Sequence, residues 1–423
     1  MPLTYIDYIT DVTEDIKSLL DEMRCQPILF VGTGISRRYF GAPTWEELLK
    51  EMAMKCPLID KDFAYYKQDA RKDPDGNELI KIGTKFSHLY YEWAWGGGRN
   101  EFPTNLFSED QTPEIYFKYK VAEHIDYRFR EFINNPTDYS IKEELDLLKK
   151  IRPHALITTN YDLFLEHVFP EYEPIIGQKI LRSNFTTYGE ILKIHGCLSD
   201  PKGMVLIESD YNDFENKKKY LSAKLLTYFA EHPLLFIGYS AEDPNIKSIL
   251  SDVDEIISSE GKVIPNIYIL EWKPKVDDSE YPITEKIIFI ERHRTVRVKC
   301  ITASSFKWVY EAFLYTGEIE KVNVKILRSL LARTYELVRT DIPRKEIEVN
   351  YKTLENITNK EDGLATLYGI SLLDNPKYLN FVYPYILTDI AVKLGYFTRK
   401  HHKGDWQKVD KLIDRGRLIR TSA

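Results

Sequence analysis

Cysteine is scarce: there are four in 423 residues, Cys25, Cys56, Cys197 and Cys300, far apart and without a Cys-x-x-Cys pair. That usage does not fit a disulfide framework, and it lacks the closely spaced ligand pairs of a structural zinc site. Long apolar runs are missing too. None approaches the roughly 18 to 20 residues that span a bilayer, so no membrane segment is expected. The amino terminus, MPLTYIDYITDVTEDIK, is acidic and has no basic n-region or continuous apolar stretch, which is not the pattern of a signal peptide. These absences together lead us to expect a cytoplasmic protein. Positive charge is in deficit as well. A net charge of −7 argues against a nucleic-acid footprint over the whole protein, though not against a local basic patch. Repeats and low-complexity tracts are absent. With 43% hydrophobic and 13% aromatic residues, the chain has the means to build one large domain and a smaller one.

What is present is a series of short, β-branched apolar runs: ILFV (28–31), ALITTNYD (155–162), ILKIHG (191–196), LLFIGYS (234–240), NIYILE (266–271) and VRVKCI. Helical patterns separate several of them. Residues 11–24 set Ile16, Leu19, Leu20 and Met23 on one face, and DPNIKSILSDVDEII does the same with Ile246, Ile249, Leu250 and Val253. Thr44 and Glu47 make a capping box before another helix. Buried strands alternating with helices predict an α/β fold, a Rossmann-like, mostly parallel sheet. Residues 57 to about 145 are aromatic and charged, with a helical pattern interrupted by EWAWGGGRNEFP, and are expected to form a helical insertion. The loop WAWGGGR (93–99) is a candidate lid, or equally an oligomer contact or plain surface loop. From 316 to 423 the pattern is helical, a region suited to assembly or partner contact. Its last 25 residues carry eight cations against three acids. That is either a docking surface for an acidic partner or nucleic acid, or a solvated helix face.

In such sheets, ligands bind beyond the carboxyl ends of the strands. Four runs end there in polar or glycine residues: Gly32-Thr33-Gly34, Thr159-Asn160-Tyr161-Asp162, His195-Gly196 and Gly238-Tyr239-Ser240. The first turn lacks the Gly-Lys-Ser/Thr ending of a Walker A loop, and Arg38 breaks a full Gly-x-Gly-x-x-Gly. It still suits a diphosphate, because small residues let the backbone approach and N–H groups can face an anion. A tight turn packed on a helix explains it as well.

The set of motifs, in order, resembles the sirtuins, and in particular the divergent bacterial sirtuin-like domains of antiphage defence. GTGIS resembles the first phosphate-binding motif, GAP-TW the Gly-Ile-Pro segment, TTNYD the Thr-Gln-Asn-Ile-Asp motif, IHG the catalytic His-Gly, and IGYS the later Gly-Thr-Ser strand end. The resemblance implies a sirtuin-like NAD-binding domain over residues 1–315, with NAD+ as substrate. It implies Asn160 and His195 as catalytic residues, Asn160 orienting ribose and water and His195 acting as base. Gly32, Thr33, Gly34 and Ser36 would cradle the diphosphate. Thr159, which stands where the motif has Gln, would be a cofactor-binding residue, and Asp162 would bond the ribose or the nearby loop, or else cap a helix. Gly238 and Ser240 would contact the adenosine ribose, with Ser304 and Ser305 on the adenine side. Trp45 would cover the ribose face or belong to the core. The zinc module that follows His-Gly in sirtuin deacylases is missing, so no zinc is expected and an acyl-lysine cleft is in doubt. The implied activity is hydrolysis of NAD+ to nicotinamide and ADP-ribose. The implied partners are further copies of the chain and a HerA-type ring ATPase. The alternatives are an NAD-dependent deacylase or ADP-ribosyltransferase, and a non-catalytic NAD or ADP-ribose sensor.

Overall fold

The computed structural model describes residues 3–73, 77–134, 139–177, 188–214, 225, 228, 229, 231–239, 250, 263–289 and 295–314. Ser240, the helix expected from Asp243 apart from Leu250, and the helical region from 316 with its basic end lie outside the described residues.

Eight strands form one sheet: β1 (Ile28–Val31), β2 (Ala155–Thr158), β3 (Glu173–Ile176), β4 (Glu190–Lys193), β5 (Leu234–Ile237), β6 (Val263–Trp272), β7 (Glu285–Phe289) and β8 (Thr295–Ala303). Their order is β3-β4-β2-β1-β5-β6-β8-β7, all parallel except β7, which pairs antiparallel with β8. This is a Rossmann-like, sirtuin-like α/β fold. Strands β1, β2, β4 and β5 are buried at every position. Their unbroken apolar runs reflect a sheet covered on both faces, where alternation would put apolar groups in water.

One face packs Leu29, Val31, Leu156 and Leu235 against helix α1 (Tyr5–Met23) and the carboxyl-terminal helix of the described part, Lys307–Ala312. The opposite face packs Phe30, Ile157, Leu192 and Phe236 with Tyr228, Phe229 and Leu250. Full burial of each such side chain contributes about 1.5–3 kcal/mol. Helix α1 begins six residues earlier than its apolar spacing indicates. Thr4 and Asp7 form a reciprocal capping box there, with Asp7 N–H donating to Thr4 Oγ1 and Thr4 N–H to Asp7.

Between β1 and β2 lie α2 (Thr33–Phe40), α3 (Trp45–Lys55), α4 (Phe63–Ala70), α5 (Glu78–Trp95), α6 (Ile115–Asn134) and α7 (Tyr139–Ile151). The Thr44–Glu47 capping box that opens α3 is present. Helices α3 to α6 share their own core, which takes in Met204, Leu206 and Ile207 from the segment after β4. Buried Lys118 of α6 pairs with Asp210 at 2.5 Å, tying the helices to that same segment. In WAWGGGR, Trp93, Ala94 and Trp95 form the last turn of α5, not a loop. Trp93 packs edge-on against Tyr90 and Phe102, and Arg99 lies 4.2 Å over the Phe107 ring. These contacts pack the segment against the aromatic residues around it. Helix α8 (Phe164–Val168) follows β2.

Candidate functional site

The four strands singled out by their endings are neighbours, in the order β4-β2-β1-β5. From β1 the chain moves to β2 and β4 on one side, then crosses to β5 on the other. That reversal falls between β1 and β5, whose carboxyl ends are the usual ligand position in an open α/β sheet.

Glycines at these ends let the backbones touch. A Cβ on Gly32 would come within 2.6 Å of the Gly238 carbonyl oxygen, and one on Gly34 within 2.7 Å of Gly238 Cα. Gly238 has φ +76°, and a Cβ there would meet Ile35 N at 2.5 Å. The Gly32 N–H donates to Ile237 O at 2.8 Å and the Gly34 N–H to Gly238 O at 2.9 Å. Both of these N–H groups are taken by carbonyls at the end of β5 and just beyond it. Thr33, at the first position of α2, is exposed and Gly34 is half-buried, so they form the open side of the turn.

Strand β2 stops at Thr158, and the residues after it turn toward α2. Asn160 is buried, and its Nδ2 donates to Gly32 O at 3.0 Å and to Ser36 Oγ at 2.9 Å. The Gly32 carbonyl can only accept, which fixes the orientation of the amide. Asn160 Oδ1 is buried with no hydrogen-bond partner among the described residues. Ser36 in turn donates to Asp162 Oδ2 at 2.7 Å, and Asp162 Oδ1 accepts from Phe164 N–H at the start of α8. Asp162 thus meets both the loop and the helix start. A chain of side-chain bonds therefore joins α2 to the β2 turn, and Asn160 sits at its end.

His195 follows β4, next to β2, and is buried, with Phe214 and Tyr211 edge-on to its ring at 5.0 and 5.8 Å. Gly196 has φ +93°, and a Cβ there would meet Gly203 O at 2.5 Å, which accounts for the glycine after the histidine. Lys193, with no signal in the sequence beyond a charge inside an apolar run, is almost fully buried. Its ammonium donates to the Asp162 carbonyl and pairs with Glu166 at 2.8 Å. Burial works to lower its pKa, but Glu166, Cys197 and Asp162 together outweigh this and hold the pKa above that of an ordinary lysine. The pair clamps the β2 turn to β4.

Thr159 shares a 2.9 Å hydroxyl contact with Tyr239, a residue to which sequence reasoning gave no role. Ser304 and Ser305 follow β8, three strands from β1. Arg38 of α2 reaches the Ser304 carbonyl at 3.5 Å and pairs through two bonds with buried Glu144, which also accepts from Ser305 Oγ. Trp45 opens α3 and packs on the helical core, 3.6 Å from the Cβ position of Gly83. Among the described residues, no group of three His, Cys, Asp or Glu side chains is placed to hold a metal ion. No described helix is long and apolar enough to cross a membrane.

A family model described as the SIR2-like domain matches residues 154–292, the stretch from β2 past β7. The chain is 26% identical to the NAD(+) hydrolase ThsA of Bacillus cereus over 315 residues, 72% of this chain and 55% of that protein. It is 27% identical to the Defense-associated sirtuin 2 of Bacillus subtilis over 245 residues, 52% of this chain and 24% of that protein. It is 24% identical to the NAD(+) hydrolase ThsA of Enterococcus faecium over 241 residues, 53% of this chain and 39% of that protein. The chain therefore spans about half or less of the curated relatives it matches.

Proposed function

We propose that the domain binds NAD+ at the carboxyl ends of β4, β2, β1 and β5 and hydrolyses its nicotinamide–ribose bond, as an effector of antiphage defence. The single observation that carries this reading is the convergence of Asn160, Ser36 and Asp162 on the Gly32 turn at the switch point. The SIR2-like match and the names of the relatives support the choice of ligand.

In the proposed reaction the C–N bond breaks and nicotinamide leaves with the electron pair, which neutralises its ring. The ribose passes through an oxocarbenium-like state, as in glycoside hydrolysis. Water adds to the anomeric carbon, and its proton goes to His195 and then to solvent. Asn160 Oδ1, a buried acceptor, would hold that water or a ribose hydroxyl in line. Thr33 and Gly34 would meet the diphosphate. An effector that destroyed NAD+ continuously would kill its host, so we expect low basal turnover that a partner raises, a ring ATPase or further copies of the chain in this proposal.

The test is nicotinamide release from NAD+ by the purified chain, alone and with a ring ATPase or phage lysate. Release that disappears in His195→Ala is expected. No release under any of these conditions overturns the reading. Release only in the presence of an acylated peptide or protein acceptor would point instead to a deacylase or ADP-ribosyltransferase.

A further inference from the structure

Tyr239 follows the left-handed Gly238 at the exit of β5. Its hydroxyl donates to Val31 O, the last carbonyl of β1, at 3.1 Å. With that proton committed, the Thr159 hydroxyl is the donor in the 2.9 Å contact, and the Thr159 N–H reaches the same oxygen at 3.4 Å. One oxygen therefore joins the ends of β5, β1 and β2. The ring is buried between Phe30 and Phe236, and two of its carbons lie 2.8 Å from where a Gly32 Cβ would be. Gly32 is a glycine partly because this ring lies against it.

We propose that Tyr239 is a positioning residue of the nucleotide site, holding Thr159 and the Gly32 turn at the height a bound dinucleotide requires. The inference rests on the reading of these strand ends as the NAD+ site. The aromatic ring fills space beneath the turn, while the hydroxyl fixes how far the β2 exit stands from β1. Removing the hydroxyl frees Thr159 but leaves the ring packing in place. Val31 O keeps the Thr158 hydroxyl as a donor at 2.7 Å, so no strand carbonyl is stranded.

The experiment uses the full chain with Tyr239→Phe, Thr159→Val and the double variant. Calorimetry with ADP-ribose as the probe gives Kd, nicotinamide release gives KM and kcat for NAD+, and thermal unfolding monitors the fold. Tyr239→Phe is expected to weaken ADP-ribose binding and raise KM about tenfold, with kcat within about twofold and the unfolding midpoint nearly unchanged. Thr159→Val should lose a similar factor, and the double variant no more than either single. Wild-type Kd in Tyr239→Phe, or additive losses in the double variant, overturns the proposal. Should Tyr239→Phe not fold, Thr159→Val with wild-type Kd overturns it equally. A wild-type chain that does not bind ADP-ribose defeats the reading of the strand ends. A wild-type chain that binds, with Tyr239→Phe binding equally well, defeats only the role of Tyr239.

Discussion

The two ends of the sheet are both buried and both polar, yet they are built differently. At the carboxyl end, Asn160, Ser36, Asp162, Lys193 and Tyr239 bond across strands, and glycine backbones touch. At the amino end stand buried Gln26, Glu190 and His232, before or at the start of β1, β4 and β5, with half-buried His154 just before β2 and buried Asn266 within β6. There the His154 and His232 rings lie 4.2 Å apart, and His232 Nδ1 donates to the Gln26 carbonyl. Burial lowers the pKa of both imidazoles, that of His154 to about 3, with His232 adding to the effect on His154. Asn266 caps the Phe229 and His232 carbonyls. The His232 and Asn266 side chains satisfy backbone carbonyls there, and the two imidazoles stay neutral at neutral pH. Buried polarity alone does not mark a site; convergence on glycine-lined backbone does.

The sharpest way to break this comparison is to exchange the consequences of mutation at the two ends. Asn160→Ala and His195→Ala are expected to lower NAD+ turnover about 10²–10⁴-fold, the range of a lost positioning or proton-transfer group. His154→Leu at the other end should leave turnover within about twofold. Equal losses at both ends, measured by nicotinamide release, would erase the distinction.

The glycines test whether backbone contact is what builds the carboxyl end. Gly238→Ala forces a side chain into a left-handed conformation and against Ile35 N. We expect a loss of about 3 kcal/mol in stability, read by urea unfolding. Gly41 is also left-handed, φ +68°, but has open space around its Cβ position. Gly41→Ala should therefore cost about 1 kcal/mol. A cost at Gly238 no larger than at Gly41 would mean that the contact is soft.

The carboxyl-end strands were legible because both-faces burial leaves continuous apolar runs, and because turns there need residue types that stand out. The edge strands were not. Glu173–Ile176 is four residues long, contains Pro174 and is half exposed, a pattern that a loop also makes. Glu285–Phe289 pairs antiparallel on the opposite edge and shows only Ile288 buried. Of the site, Asn160 and His195 were visible as polar residues after apolar runs. That Ser36 meets both Asn160 and Asp162, 124 and 126 residues away, is set by strand order, which no local pattern encodes. Lys193 and Tyr239 read as ordinary strand residues until their partners were known.

Acid should separate the ends by stability. Burial, with His232 nearby, pushes the folded-state pKa of His154 down to about 3, below the ordinary imidazole value of about 6.5, so the unfolded chain binds the extra proton. Its contribution is fully present above about pH 6.5 and is lost as pH falls toward 3, at up to about 1.4 kcal/mol per pH unit. His232, also lowered, steepens the same limb. His154→Leu is expected to flatten the loss between pH 6 and 4 in denaturant titrations. An unchanged acid limb would assign it to other groups.

The smallest effect concerns Gln26. It is buried, and neither its Oε1 nor its Nε2 has a hydrogen-bond partner among the described residues. An amide held away from water without bonds costs stability, whereas an apolar side chain of similar length in the same place does not. The contact that matters to the fold there is the Gln26 main-chain carbonyl accepting from His232, and a substitution keeps it. Gln26→Leu is therefore expected to raise stability by about 1 kcal/mol, a shift of about 2–4 °C in the unfolding midpoint, with NAD+ turnover unaltered. Asn160 carries a similar orphaned oxygen at the other end, yet its leucine variant should lose turnover. If Gln26→Leu lowers the midpoint instead, the amino end is a bonded network after all, and the two ends are alike in construction.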